Sequence, residues 1–163
     1  MSVKPTVKGK IPNRNGVRLS LAYIKNLPKG SSVVSRVMHT DLRVTGEVQS
    51  SNSGITKLWD IITRTFRNNI LAGPTDCPTR EKNFWNGDIS AFAYTAMWYM
   101  DCRTFLGRWS DIGRKMERGT YGWEDEEYLL PLKLWKFYGD RGILKRKFPK
   151  ILELIRRREA ALT

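Results

Sequence analysis

The sequence contains few of the residues on which metal and nucleophilic sites depend. Its 163 residues include one histidine, His39, and two cysteines, Cys77 and Cys102, which lie far apart in the chain. This set cannot supply the four nitrogen and sulfur ligands of a closed zinc site. The sequence also lacks a G-x-S-x-G nucleophile turn and a phosphate-binding loop. We therefore expect no metal site and no cofactor.

Long hydrophobic runs are also missing. The longest uncharged apolar stretch runs from Ile89 to Met100, 12 residues, whereas a membrane-spanning helix needs about 20. The N-terminal "MSVKPTVKGK" has no apolar core, so no secretory signal is predicted. With so few cysteines, we expect two free thiols, and a single disulfide is the alternative.

Acidic residues are absent from the first thirty positions, which carry seven basic ones. Residues 133–163 carry ten basic and three acidic side chains, while the intervening body is close to neutral. The whole chain has a net charge of +13. Basic ends on a neutral body favour a polyanionic partner, either nucleic acid or an acidic membrane.

The basic ends supply the predicted anion contacts to RNA or lipid. These contacts are Lys4, Lys8, Lys10, Arg14, Arg18, Lys145, Arg146, Lys147, Lys150, Arg156, Arg157 and Arg158. An acidic run offers a complementary surface for head-to-tail self-association between copies. Its residues are Glu124, Asp125, Glu126 and Glu127, and an ordinary solvated loop is the alternative.

Hydrophobic periodicity predicts a strand followed by two helices. Apolar and polar residues alternate from Leu42 to Gln49, as in a half-buried strand. After "SSNSG", apolar residues from Ile55 to Phe66 recur at helical spacing, with Asn52 or Ser53 as the N-cap. A second, largely apolar helix is predicted from Asp88, as its N-cap, to about Gly107.

The C-terminal part predicts more strands and a closing helix. "LKLWKFY" and "ILKRKF" on either side of "GDRG" indicate a hairpin, and Pro149 suits the first turn of a last helix. The expected fold class is therefore α+β: an antiparallel β-sheet packed with two core helices, a basic N-terminal arm and a C-terminal helix. We expect residues 1–32 to be a flexible arm and residues 33–163 to be one globular domain.

Candidate catalytic residues do not form a convincing set at this level. His39 is expected to be an ordinary strand residue, and Ser50, Ser51 and Ser53 to form a turn and a cap. Asp60, Asp88, Asp101 and Asp111 could provide a carboxylate pair, but Asp60 lies opposite the apolar helix stripe and Asp88 is interpreted as a cap. The sequence thus predicts a protein that is not an enzyme.

The stretch "LRVTGEVQSSNSGITKLWDIITRTFRNNILAG", Leu42–Gly73, resembles the start of the core domain of rhabdovirus matrix proteins. The apolar helix of Ile89–Leu106 falls where that family has its second helix, and the basic arm is similar too. The resemblance implies a self-assembling, non-enzymatic structural protein that bridges the viral nucleocapsid and the inner face of a membrane. It also implies a location in the virion and in host cytoplasm at membranes, or in the nucleus.

A different hypothesis also fits the charge. An RNA-binding viral accessory protein, such as a silencing suppressor or a movement factor, would bind RNA through the same basic ends and ignore lipid. Lipid and RNA are both polyanions, so the basic side chains alone do not distinguish them.

Overall fold

The computed structural model describes residues 6–9, 22–26, 28–32, 39–78, 80–112, 123 and 125–162. The elements in these ranges are five α-helices and two short pairs of strands. None of the described helices is long and apolar enough to span a bilayer.

The first helix, α1, runs over Ser53–Asn68 and confirms the helical stripe. The Asn52 side chain accepts the Gly54 N–H at 2.8 Å, as a capping residue does. The helix ends at Asn68, before the Gly73–Pro74 stop that the sequence suggests. Only Phe66 of its apolar face is fully buried.

The predicted strand of residues 42–49 is wrong. The segment makes one isolated antiparallel bridge, between Val44 and Met100, and its side chains are mostly exposed. Hydrogen bonds join its backbone to that of Tyr99 and Asp101 over a short distance only. A Cβ atom on Gly46 would lie 2.1 Å from the Trp98 carbonyl oxygen, so glycine permits this close approach.

The strands that do occur are short. The first pair joins β1, Thr6–Gly9, to β2, Ala22–Lys25, within the predicted arm. Residues 1–5, 10–21 and 27 of that arm lie outside the described residues, and the predicted flexibility of the arm stays a prediction. The second pair joins the two-residue strands β3, Ile70–Leu71, and β4, Gly73–Pro74, through Ala72 with a φ of 62°.

The predicted second helix is two helices. Helix α2 spans Asn86–Tyr99 and α3 spans Arg103–Ile112. Met100, with φ −142° and ψ 154°, is extended and separates them. The expected cap, Asp88, lies instead in the first turn of α2, where a carboxylate still interacts favourably with the helix dipole.

The predicted C-terminal hairpin is a helical hairpin. Helix α4 spans Glu126–Tyr138 and α5 spans Arg141–Ala160. Gly139 ends α4 in the left-handed region and Asp140 caps α5, so the "GD" pair is a C-cap followed by an N-cap. Pro149 is exposed in the interior of α5, where it removes one helical hydrogen bond.

The hydrophobic core lies where the helices meet, with α4 packed on α2, α3 and α5. Its buried members come from every described helix: Phe66, Ile70, Ile89, Ala93, Ala96, Met97, Met100, Cys102, Leu106, Trp109, Leu130, Leu134 and Ile143. The expected α+β class, with an antiparallel sheet on two core helices, is therefore wrong. The domain is helical instead. The leucine- and lysine-rich segments on either side of residue 140 form two helices, because their apolar residues recur at helical spacing and pack against each other.

Candidate functional site

Three carboxyl groups lie on the segment that leads from β4 into α2. Asp76 and Glu81 lie in the connecting loop, and Asp88 lies in the first turn of α2. The charges of Asp76 and Glu81 both act on Asp88 and raise its pKa. We call Asp76, Glu81 and Asp88 the carboxylate cluster.

Backbone contacts close the loop at its base. The Asp76 N–H donates to the Asn83 carbonyl at 3.0 Å, and the Asn83 N–H donates to Asp76 Oδ1 at 2.7 Å. Next to them, the Thr75 N–H donates to the Asn69 carbonyl at 2.8 Å and the Thr75 hydroxyl bonds the same residue. The loop is therefore tied to the end of α1 and has a fixed entry and exit.

Glu81 is held at the surface by its neighbours. The Trp85 indole N–H donates to Glu81 Oε2 at 3.1 Å, and the Arg80 guanidinium contacts Oε1 at 3.2 Å. The Glu81 backbone N–H donates to the Cys77 sulfur at 3.2 Å. Its side chain remains 42% exposed, so the carboxyl group is oriented and still accessible to a ligand.

The cluster members differ in their electrostatics. Burial raises the pKa of Asp88, and the charges of Asp76 and Glu81 raise it further. Burial also opposes ionisation of Asp76, but hydrogen bonds from Cys77 and from the Asn83 N–H outweigh it and lower the Asp76 pKa. The pKa values of Asp76 and Asp88 are thus shifted in opposite directions.

Two tryptophans accompany the carboxyl groups. Trp85 is half-buried beside Glu81, and Trp123 is 44% exposed. The Trp123 ring lies over Gly87, where an added Cβ atom would be 2.4 Å from the ring. Exposed aromatic surfaces next to acidic groups suit a ligand that has both an apolar face and hydroxyl groups.

A buried ion pair lies behind α2. Lys133 Nζ contacts both Glu126 carboxylate oxygens at 2.8 and 2.9 Å and donates to the Ser90 carbonyl at 3.2 Å. The Ser90 side chain also bonds Glu126, whose pKa is nevertheless raised by burial. This pair joins α4 to the first turns of α2, next to Asp88.

The predicted anion contacts are dispersed. Of the arm residues, Lys8 lies in β1, while Lys4, Lys10, Arg14 and Arg18 lie outside the described residues. The tail cations all lie on α5. Anion binding by this set stays a prediction.

Most of the tail cations have partners within the chain. Arg146 and Lys147 contact Asp111, and Lys147 also donates to the Ser110 carbonyl. Arg157 pairs weakly with Glu153 along α5. These contacts pair basic side chains that the sequence predicts to be free to bind a polyanion.

The predicted self-association residues also have partners within the chain. Asp125 pairs with Arg158, Glu127 pairs with Lys150, and Glu126 is the buried partner of Lys133. Glu124 lies outside the described residues. The acidic run therefore belongs largely to the α4–α5 hairpin, and its role in self-association stays a prediction.

Metal ligands do not gather in the described part of the chain, where no group of three or more His, Cys, Asp or Glu residues could hold an ion. Both cysteines are free, Cys77 half-buried and Cys102 buried. His39 hydrogen-bonds through its ring to the Thr40 carbonyl at 2.9 Å, away from any second catalytic group named above.

The sequence interpretation missed Asp76 and Glu81 and took Asp88 for a cap. Asp60, Asp101 and Asp111 do not join the cluster: Asp60 is exposed on α1, and Asp101 and Asp111 pair with arginines elsewhere. The overlooked signal is "DCPTREKNFWNGD", Asp76–Asp88, a stretch dense in acidic and aromatic residues between two secondary-structure elements. Loops of this kind commonly carry functional groups.

Comparison with known proteins identifies relatives of one kind. Residues 43–162 match the model of the bacterial alpha-L-rhamnosidase 6 hairpin glycosidase domain. An alpha-L-rhamnosidase from Streptomyces avermitilis is 33% identical, in a match that covers 76% of the chain and 14% of that protein. The chain spans 14 to 18% of the length of the curated relatives it matches.

Solved structures agree with this result. The Streptomyces avermitilis alpha-L-rhamnosidase complexed with L-rhamnose matches with a TM-score of 0.73 and 31% identity, covering 85% of the chain and 15% of that structure. An alpha-L-rhamnosidase from Aspergillus terreus matches with a TM-score of 0.66 and 26% identity, covering 80% of the chain and 19% of that structure.

These matches overturn the viral hypotheses. The resemblance to rhabdovirus matrix proteins is wrong, as are the structural and RNA-binding accessory functions, the nucleocapsid and membrane partners, the virion location and the expectation of a protein that is not an enzyme. A strand–turn–helix pattern without diagnostic residues is shared by many unrelated folds. The basic ends were a poor guide because most of the tail charge forms ion pairs within the chain.

Proposed function

Because the chain belongs to the bacterial alpha-L-rhamnosidase 6 hairpin glycosidase family, we propose that its carboxylate cluster takes part in the hydrolysis of α-L-rhamnosides. The observation that carries this proposal is the electrostatic coupling of Asp76 and Glu81 to Asp88, together with Trp85 on Glu81 and Trp123 over Gly87. Glycoside hydrolysis characteristically uses carboxyl groups on either side of the scissile bond.

Glu81 is assigned as the proton donor. It has the longest and most accessible side chain of the cluster, and the Trp85 indole fixes the direction of its carboxyl group. As the bond between the sugar and the leaving group breaks, Glu81 gives a proton to the glycosidic oxygen. A water molecule adds to the anomeric carbon, and the proton that this water loses restores the acid form of Glu81. Asp76 is less suited to this role, because its Oδ1 is already bonded to the Asn83 N–H inside the loop.

Asp76 acts on the charge of the transition state. The sugar ring acquires positive charge as the glycosidic bond breaks. Asp76 is held in its ionised form by the hydrogen bonds from Cys77 and Asn83, so a fixed negative charge lies near the reacting centre. Such preorganised charge stabilises the transition state more than an equivalent group in water does.

The tryptophans provide the binding surface for the sugar. L-Rhamnose carries a methyl group and ring C–H bonds that pack on aromatic faces, and hydroxyl groups that hydrogen-bond to carboxylates. Trp123 lies over Gly87, one residue before Asp88, and Trp85 bonds Glu81 directly. Both aromatic groups are therefore linked to the cluster and place a bound sugar next to it.

Removal of the proton donor tests the assignment. We expect Glu81→Gln to slow hydrolysis of methyl α-L-rhamnoside by about 10²–10⁴-fold. It should slow 2,4-dinitrophenyl α-L-rhamnoside far less, because dinitrophenolate leaves without protonation. The measurement is kcat/KM on both substrates, with Asp60→Asn, an exposed carboxylate on α1, as the matched control.

Other results would change the conclusion. The raised pKa of Asp88 makes it the second candidate for the proton donor. If Asp88→Asn, and not Glu81→Gln, shows the dependence on the leaving group, the role passes to Asp88. If the wild-type protein neither hydrolyses these rhamnosides nor binds L-rhamnose, the proposed function is rejected.

A further inference from the structure

The side chain of Cys77 interacts with two residues of the cluster, the backbone of Glu81 and the carboxyl group of Asp76. Its sulfur accepts the Glu81 backbone N–H at 3.2 Å. Its thiol and its own backbone N–H both hydrogen-bond to the Asp76 carboxylate. A thiol can donate and accept at once, although each bond is weak. Cys77 thereby connects the residue that begins the loop to the candidate proton donor.

We propose that Cys77 is a positioning residue, which holds Glu81 in its productive place by linking its backbone to Asp76. This inference rests on the proposed function, because it assigns Glu81 a place that matters for catalysis. It adds a dependence on a thiol that the carboxylate chemistry itself does not require.

Arg80 and Trp85 contact the side chain of Glu81, whereas the Cys77 sulfur contacts the backbone of Glu81. The residue after it, Lys82, has a φ of 56°, a conformation in which a residue with a side chain is strained. Arg80, the other neighbour, has a side chain that is 85% exposed. The Trp85 indole holds the end of the Glu81 side chain, and the Cys77 sulfur holds its backbone.

Cys102 provides an internal comparison. It is fully buried in the core, and burial followed by the charge of Asp101 raises its pKa to about 12. Such a thiol is inert towards alkylating reagents, which react with the thiolate. Cys77 is only half-buried, so iodoacetamide should modify Cys77 and leave Cys102 unmodified in the folded protein.

The kinetic test compares two variants of the same residue. Cys77→Ala removes both side-chain hydrogen bonds, whereas Cys77→Ser keeps a donor and an acceptor. We expect kcat for rhamnoside hydrolysis to fall about 10- to 100-fold in Cys77→Ala, with KM little changed, and to recover largely in Cys77→Ser. Equal kcat values for Cys77→Ala and wild type would overturn the proposal.

A second test does not depend on activity. Amide hydrogen exchange of Glu81, measured by NMR, should accelerate in Cys77→Ala and stay near the wild-type rate in Cys77→Ser, while core amides are unchanged. If the Glu81 amide exchanges at the same rate in all three proteins, the link does not exist. This result is independent of whether the protein cleaves rhamnosides, so it separates failure of this inference from failure of the proposed function.

Alkylation of the folded wild-type protein covers the case in which Cys77→Ala does not fold. Mass spectrometry should locate the iodoacetamide adduct on Cys77. L-Rhamnose should slow its formation, and the modified protein should show faster exchange of the Glu81 amide. Modification of Cys77 without any change in that exchange would contradict a positioning role.

Discussion

At the scale of the residue, surroundings give identical carboxyl groups different properties. Asp76 accepts hydrogen bonds within its loop, Glu81 is oriented by an indole at the surface, and Asp88 is partly buried beside two negative charges. The pKa values of Asp76 and Asp88 therefore shift in opposite directions, as is common where acids and bases act together. Residue type alone does not distinguish these environments.

Asp140 illustrates the same effect in a structural role. Its Oδ1 accepts the N–H groups of Gly142 and Ile143 at 3.1 and 3.2 Å, and Arg103 contacts its Oδ2 at 3.1 Å. The hydrogen bond from Ile143, together with Arg103 and Gly142, lowers the Asp140 pKa against the effect of burial. We expect Asp140→Ala to lower the free energy of unfolding by about 1 kcal/mol at pH 7.

This loss should depend on pH. Because the folded-state pKa of Asp140 lies below the usual aspartate value of 3.8, the contribution of Asp140 is present above about that pH and is lost as pH falls through the folded-state pKa. Urea unfolding of wild type and Asp140→Ala across this range measures the effect, with Asp60→Ala as an exposed control. A difference that persists unchanged in strong acid would exclude the ionised cap as its cause.

At the scale of the element, α1 is buried unevenly along its length. Phe66 stacks on Phe92 with ring centroids 4.6 Å apart and 7° between the planes. In contrast, Ile55, Leu58 and Ile61 of the same helix are about half exposed. Apolar spacing therefore predicts the helix correctly, but it does not tell which of its turns contact the core in the described structure.

Substitution at two positions of α1 tests this difference. Phe66→Ala should lower the free energy of unfolding by about 3–5 kcal/mol, because it leaves a cavity beside Phe92. Leu58→Ala should change it by no more than about 0.5 kcal/mol, as is usual at exposed sites. Chemical denaturation of both variants is the measurement, and similar losses would show that Leu58 is covered in solution.

At the scale of the whole molecule, contacts between distant segments decide which charges are free. Lys133 and Glu126 are buried against α2, and Asp111 receives two cations from α5. Charge runs that look like exposed basic and acidic surfaces in the sequence form ion pairs between helices instead. The net charge correctly describes the chain as basic, but it is a poor predictor of what the protein does.

The buried pair gives the prediction that belongs to this scale. Lys133→Met leaves the Glu126 carboxylate buried without its cation, so we expect a loss of about 3–5 kcal/mol in the free energy of unfolding. The double variant Glu126→Leu with Lys133→Met should recover most of that loss, because no charge then remains buried. Denaturation of both variants measures this, and a double variant less stable than Lys133→Met would contradict the explanation.

The sequence by itself determined the local features of this protein. Apolar spacing and the Asn52 cap predict α1, and the apolar composition of residues 89–100 predicts a buried helix. Both predictions succeed because these signals depend on residues that are neighbours in the sequence. The prediction of a C-terminal hairpin failed because "GD" suits a β-turn and also the junction of two helices, and only packing on α2 and α3 selects the second.

Only the tertiary structure decided the site. Asp76, Glu81 and Asp88 are separated in the chain by other residues, and their relative positions depend on the Asp76–Asn83 contacts and on the position of the first turn of α2. Trp123 reaches Gly87 because α4 packs on α2. Electrostatic coupling depends on distance in space, and folding sets that distance between residues whose spacing in the sequence does not reveal it.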